Sequence, residues 1–190
     1  MRPLASLITP LAVLAVVAVA GCGNARTQIP DVAGPQAPVG VVPVVLAAAG
    51  ISFQAPANWL LLPGAAPLVA TLTSGPATLA VWRYPRSQPV PATPSRLRRL
   101  EGGLVSAASA RDPGLTLISK HVVVLGGHHA IQVVGLEHIA GMLRRVRSEH
   151  LFIGGAEVVF DAIAPVGDFL GVDHAVFAPL LRSARVKGVG

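Results

Sequence analysis

The sequence predicts an α+β fold: an antiparallel β-sheet meander with helices packed on it. Three observations carry this. Four strand-like segments, 116–125, 128–138, 143–153 and 156–164, follow one another at regular spacing. Gly126-Gly127 and Gly154-Gly155 join them in pairs, and paired glycines supply the positive φ that a two-residue hairpin turn demands. Helical signals flank the meander, Thr93-Pro94 before it and Asp168 after it.

In chain order, Met1-Arg2-Pro3 gives a short basic start, an apolar run follows, and Val19-Ala20-Gly21-Cys22 ends it. A charged start, an apolar stretch and small residues at the break describe a secretory signal peptide over 1–21. The cysteine at its end resembles the lipobox of bacterial lipoproteins. That resemblance implies a diacylglyceryl group on Cys22, cleavage before it, and a protein held by lipid on the extracytoplasmic face of the cell membrane. Residues 22–40 carry Pro30, Pro35, Pro38 and three glycines, and read as a flexible tether. One domain is expected over 41–186, with 187–190 as a short tail.

Within the domain, 41–46 and 51–54 are strand-like, and Pro56-Ala57-Asn58-Trp59 is a turn that delivers a large aromatic. Segments 68–73 and 78–84 form a hairpin across Ser74-Gly75-Pro76. Four prolines stiffen 84–94. Thr93 then offers an N-cap hydroxyl with Pro94 at the first helical position. Leu97, Leu100, Leu104 and Ala108 share one helical face, while Gly102-Gly103 weakens the helix by roughly 1 kcal/mol per glycine. After the meander, Asp168 caps a last helix bearing Phe169, Val172, Val176 and Leu180, whose end Pro179 disturbs.

Composition narrows function. The 190 residues are 52% apolar and 13% charged, a globular composition. The net charge of +6 is mostly arginine, which admits anionic lipid headgroups, acidic glycans or nucleic acid; the export signal argues against nucleic acid. Cys22 is the single cysteine, so no disulfide stabilises the domain. No Gly-x-Ser-x-Gly, His-Glu-x-x-His or phosphate-loop sequence occurs. His128 and His129 are strand neighbours pointing to opposite faces, and His121 lies too far along to join either, so no metal site is expected.

The arginines are the leading candidates for binding. Arg145, Arg147 and Glu149 alternate onto one strand face, with Arg144 beside them; Val146, Ser148, His150 and Phe152 take the other. Arg96, Arg98 and Arg99 cluster at the start of the first helix. Guanidinium forks suit phosphate and carboxylate. Trp59 and Trp82 either line an apolar pocket or fill the core. Glu137, Glu149, Glu157 and Asp161 read as solvated or structural, with Glu137 and Arg144 placed to pair across the turn near Gly141.

The layout resembles the PsbP-like α/β/α sandwich, in particular small actinobacterial lipoproteins of the LpqN type. Its carriers are Gly50-Ile51-Ser52-Phe53 with Pro56 and Trp59, Ala130 after the glycine turn, and the closing run from Phe169-Leu170-Gly171-Val172 to Val176-Phe177-Ala178-Pro179-Leu180-Leu181-Arg182-Ser183. It spans about residues 50–186. It implies a module without catalytic residues or cofactor that binds a lipid, a glycolipid or an envelope protein. A protein-assembly factor without a small ligand and an envelope ester hydrolase are the alternatives.

Overall fold

The computed structural model describes residues 34–88 and 93–188. The signal peptide, Cys22 and most of the tether lie outside them. A seven-stranded antiparallel sheet runs in the order β3-β4-β5-β9-β8-β7-β6, and a smaller sheet runs β1-β2-β10. The strands are β1 Val42–Leu46, β2 Ile51–Ala55, β3 Leu60–Pro63, β4 Leu68–Ser74, β5 Ala77–Pro85, β6 Thr116–Leu125, β7 His128–Ile139, β8 Met142–Ile153, β9 Ala156–Pro165 and β10 Arg185–Val186. Helix α1 covers Pro94–Arg111. The closing helical run is α2 Phe169–Val172, a π turn Asp173–Phe177, and α3 Ala178–Ser183.

The meander forms as expected because its turns are built for it. Gly126, Gly127, Gly154 and Gly155 all have positive φ, the conformation a type I′ turn requires. The third turn, Ala140-Gly141, places an alanine at φ 51°, where its Cβ is strained.

The large sheet buries its two faces unequally. One face meets the small sheet and the closing helical run. Leu79, Val81, Val158, Phe160 and Leu151 pack there against Phe53, Trp59, Phe177 and Leu180. On the other face, among the described residues, α1 packs on β6 and β7 through a small cluster of Leu97, Ile131, Val133 and Phe152.

Several expectations are corrected. Thr93 is the N-cap of α1, but its hydroxyl makes no cap bond and lies 3.2 Å from Ser95 Oγ instead. Of the expected helix face only Leu97 is fully buried; Leu104 is partly buried against the same cluster, and Leu100 stays exposed. Asp168 also precedes its helix without capping it. Pro179 sits inside the closing run; the wide π turn before it relieves the clash of its ring with the preceding turn. Strand β3 was not expected, since Leu60-Leu61-Leu62 has no alternation of polar and apolar residues. The tether stops short of residue 40. Gln36 N–H donates to Ser74 Oγ and Val39 N–H to Asn58 Oδ1, so the ordered domain begins ahead of residue 41. At the other end Lys187 N–H donates to the Gly50 carbonyl.

Candidate functional site

Where α1 leaves the sheet uncovered, a cleft of about 700 Å³ opens over β5, β9 and β8. Period-two alternation decides what lines it. Ser148, His150 and Phe152 of β8, Glu157, Val159 and Asp161 of β9, and Tyr84 of β5 form its floor. Leu100, Gly103, Leu104 and Arg111 of α1 form its roof. A β-carbon at Gly103 would meet nothing within 4 Å, so that glycine leaves the roof open.

The polar floor is paired. Ser148 Oγ donates to Asp161 Oδ1 at 2.5 Å. His150 Nδ1 lies 2.8 Å from Glu157 Oε1, and Arg86 pairs with the other Glu157 oxygen while its guanidinium lies 5.5 Å from the Phe152 ring centre. Burial alone would raise the Glu157 carboxyl; the hydrogen bond and charge of His150 and the charge of Arg86 outweigh it and bring the group below its ordinary range. Asp161 goes the other way. Desolvation pushes it up despite the Ser148 hydrogen bond. Glu137, at the far end, is raised by burial and then by the charge of Asp161, with Arg111 opposing. Tyr84 is raised by burial and by Asp161, and stacks on Trp82 at 6.1 Å. The buried Trp82 indole N–H makes no hydrogen bond, though it is close enough to favour the charged form of Asp161.

Of the two readings of these carboxylates, solvated or structural, the structure gives the structural one for Glu149, Glu157 and Asp161. Glu149 and Glu157 are buried, and Glu137 and Asp161 partly so. Glu137 and Arg144 are opposite in register, but their side chains make no ion pair. Arg144 instead points to the Pro76 carbonyl and Met142 Sδ.

The candidate ligand contacts are not brought together. Arg145 and Arg147 lie on the closed face. Arg147 donates to Asp173 Oδ2 at 2.8 Å and lies 3.5 Å from Glu149 Oε1; Arg145 stacks over Phe169 at 5.1 Å. Trp59 is core on that same face, edge-on to Phe177 at 6.0 Å, with its indole N–H donating to the Gln36 carbonyl. Arg96 and Arg99 are exposed on α1. Of the seven, only Trp82 adjoins the cleft, through Tyr84.

Ser148, His150, Glu157 and Asp161 were not singled out as a group, yet part of it was readable. A two-residue turn at Gly154-Gly155 places Ser148 opposite Asp161 and Phe152 opposite Glu157, by counting alone. Among the described residues no serine hydroxyl bonds a histidine, and no three His, Cys, Asp or Glu converge as metal ligands.

No known family profile matches the chain, and no curated protein matches it. Solved structures do. The cyanobacterial PsbP protein CyanoP from Synechocystis superposes with a TM-score of 0.59 at 13% identity, covering 88% of this chain and 98% of that one. LpqN of Mycobacterium tuberculosis, described as involved in cell envelope biogenesis, gives 0.54 at 20% identity over 78% and 91%. The Ran-binding protein Mog1p of Saccharomyces cerevisiae gives 0.55 at 8% identity over 79% and 97%. At these identities the likeness is one of fold, and the chain has the PsbP-like α+β fold that LpqN shares.

Proposed function

We propose that this chain is a cell-envelope lipoprotein, anchored to the membrane by a diacylglyceryl group on Cys22. Its domain acts as a non-catalytic module that binds a lipid or glycolipid in the cleft under α1. The cleft carries the reading. Its volume of about 700 Å³ lies within the roughly 300–1,000 Å³ of small-molecule sites. Its lining joins apolar surface (Leu100, Leu104, Val133, Val146, Val159) to polar groups spread along the floor, Arg86, Ser148, His150, Glu157 and Asp161 with Glu137 and Arg111 at the far end, a mixture that suits a ligand with both apolar and polar parts. The Ser148 hydroxyl donates to Asp161, and the paired polar groups of the floor are suited to holding a headgroup. Arg96 and Arg99 remain available at the surface for acidic groups, whereas Arg145 and Arg147 are committed to the fold. The fold shared with LpqN supports an envelope role.

Native mass spectrometry of the protein purified from a bacterial envelope without detergent tests this. The expected result is an added mass of lipid or glycolipid size. Gly103→Trp should empty the cleft, since the indole fills the roof side without backbone strain, and circular dichroism should show the fold intact. A clean apo mass for the unsubstituted protein overturns the ligand reading. For the anchor, Cys22→Ala should release the protein from membranes; a chain that stays membrane-bound overturns it.

A further inference from the structure

Strand β3 is the edge of the large sheet, and all four of its residues are exposed. Leu60, Leu61 and Leu62 are 57%, 38% and 44% exposed. Soluble proteins guard such an edge with charge, usually lysine; β3 has none. Val39 and Val41, exposed as well, lie in the segment that docks beside it. Val39 is bonded to Asn58, two residues before Leu60.

Two features say what covers this surface. The first is chain length. Residues 23–35, 13 in number, separate Cys22 from Gln36, where the chain is pinned to Ser74 at the foot of β3 and β4. Thirteen residues have a random-coil span of about 20 Å, so an anchor at Cys22 would hold the leucine edge within reach of the bilayer surface. The second is the edge itself. It is four residues long and ends in Pro63, which lacks an N–H. It is a poor template for a partner strand, whereas hydrocarbon asks for no direction, only apolar area.

We infer that the β3 edge, Leu60-Leu61-Leu62 with Val39 and Val41, rests on the lipid bilayer and orients the anchored domain against it. This builds on the anchored reading above and is independent of what the cleft binds. Tethering supplies the high local concentration that lets a small apolar contact persist.

The test uses full-length lipidated protein reconstituted in vesicles of phosphatidylethanolamine and phosphatidylglycerol. An environment-sensitive dye is placed on Leu61→Cys and, separately, on Ile118→Cys. Ile118 is similarly exposed but sits on β6, the opposite edge of the sheet. The dye at residue 61 should be quenched by spin-labelled lipid at least about fivefold more than at residue 118. In the Leu61→Cys chain, Leu60→Ser with Leu62→Ser should remove most of that quenching. Equal quenching at both positions, or none at 61, overturns the proposal. So does dye self-quenching at 61 without lipid quenching, which marks a second copy as the occupant. The mass of the mature N-terminus reports lipidation separately. A chain without the acyl group, mixed with the same vesicles, is judged by the same two dyes, so failure of the anchor and failure of the surface are told apart.

Discussion

Asp161 and Glu157 stand on one strand face, four residues apart on β9 and both facing the cleft, yet they are displaced in opposite directions. Asp161 is raised by burial, as are Glu137, Glu149 and Asp173; Glu157, after burial is outweighed by His150 and Arg86, is lowered. For the raised groups the fold favours the neutral acid. Their stabilisation is complete below the ordinary carboxylate range and is lost as pH rises through the raised values. Glu157 contributes above that range, and its share is lost only when pH falls through its lowered value. Stability should therefore increase as pH falls from neutral toward the ordinary carboxylate range and drop in stronger acid. Asp161→Asn, which keeps the Ser148 partner and removes the charge, should flatten the upper part of the curve and raise the neutral-pH melting temperature by a few degrees. A melting temperature unchanged or lower at neutral pH would contradict this. Arg147 makes the opposite case. It bridges Asp173 and Glu149 under the closing helical run, and Arg147→Ala leaves the buried Glu149 and the half-buried Asp173 without their cation, a loss of about 3 kcal/mol that urea unfolding would read. Alternation made these faces legible in the sequence: it put Arg147 opposite Ser148 and His150. It could not say which face would be sealed, because that depends on a helix arriving from residue 169.

Among the elements, the hairpins were legible and the helix coverage was not. Paired glycines have one natural reading, a positive-φ turn, and it holds at both sites. Helix α1 has an apolar stripe in its sequence, but only Leu97 of it is fully buried, with Leu104 and Val105 partly buried against the same cluster. Leu100 remains exposed because the roof of the cleft lies there. Gly102 explains less of the fold than Gly103 does. A β-carbon at Gly102 touches nothing, and Gly102→Ala should stabilise α1 by about 1 kcal/mol. In the third hairpin, Ala140→Gly relieves a left-handed alanine and should gain about 0.5–1 kcal/mol. Thermal denaturation decides both; a lower melting temperature in either would refute its argument. Strand β3 carries no strand signal for a related reason: three leucines in a row, all exposed, have no alternation of polar and apolar residues.

At the scale of the whole molecule the two sides of the large sheet differ in how firmly they are closed. One side holds the main core, the other a cluster centred on Leu97, Ile131, Val133 and Phe152. Local opening follows the smaller cluster. Amide hydrogen exchange should be fastest in α1 among the long elements and slowest in β8 and β9, and cleft occupancy should slow α1 selectively. Uniform protection across α1 and β9 in the empty protein would show that the helix is not the weaker layer. The order of elements was largely legible because the hairpins are local. The strand order was not: β5 joins β9 across the whole meander, and no short-range signal states that pairing.

Gln54 illustrates what such distant pairings mean in time. Its N–H is held by Ser183, 129 residues further on, and β2 gains its second neighbour only at Arg185–Val186. The small sheet therefore cannot close on a nascent chain: its two entry strands are made first, and the strand that completes their layer is made last.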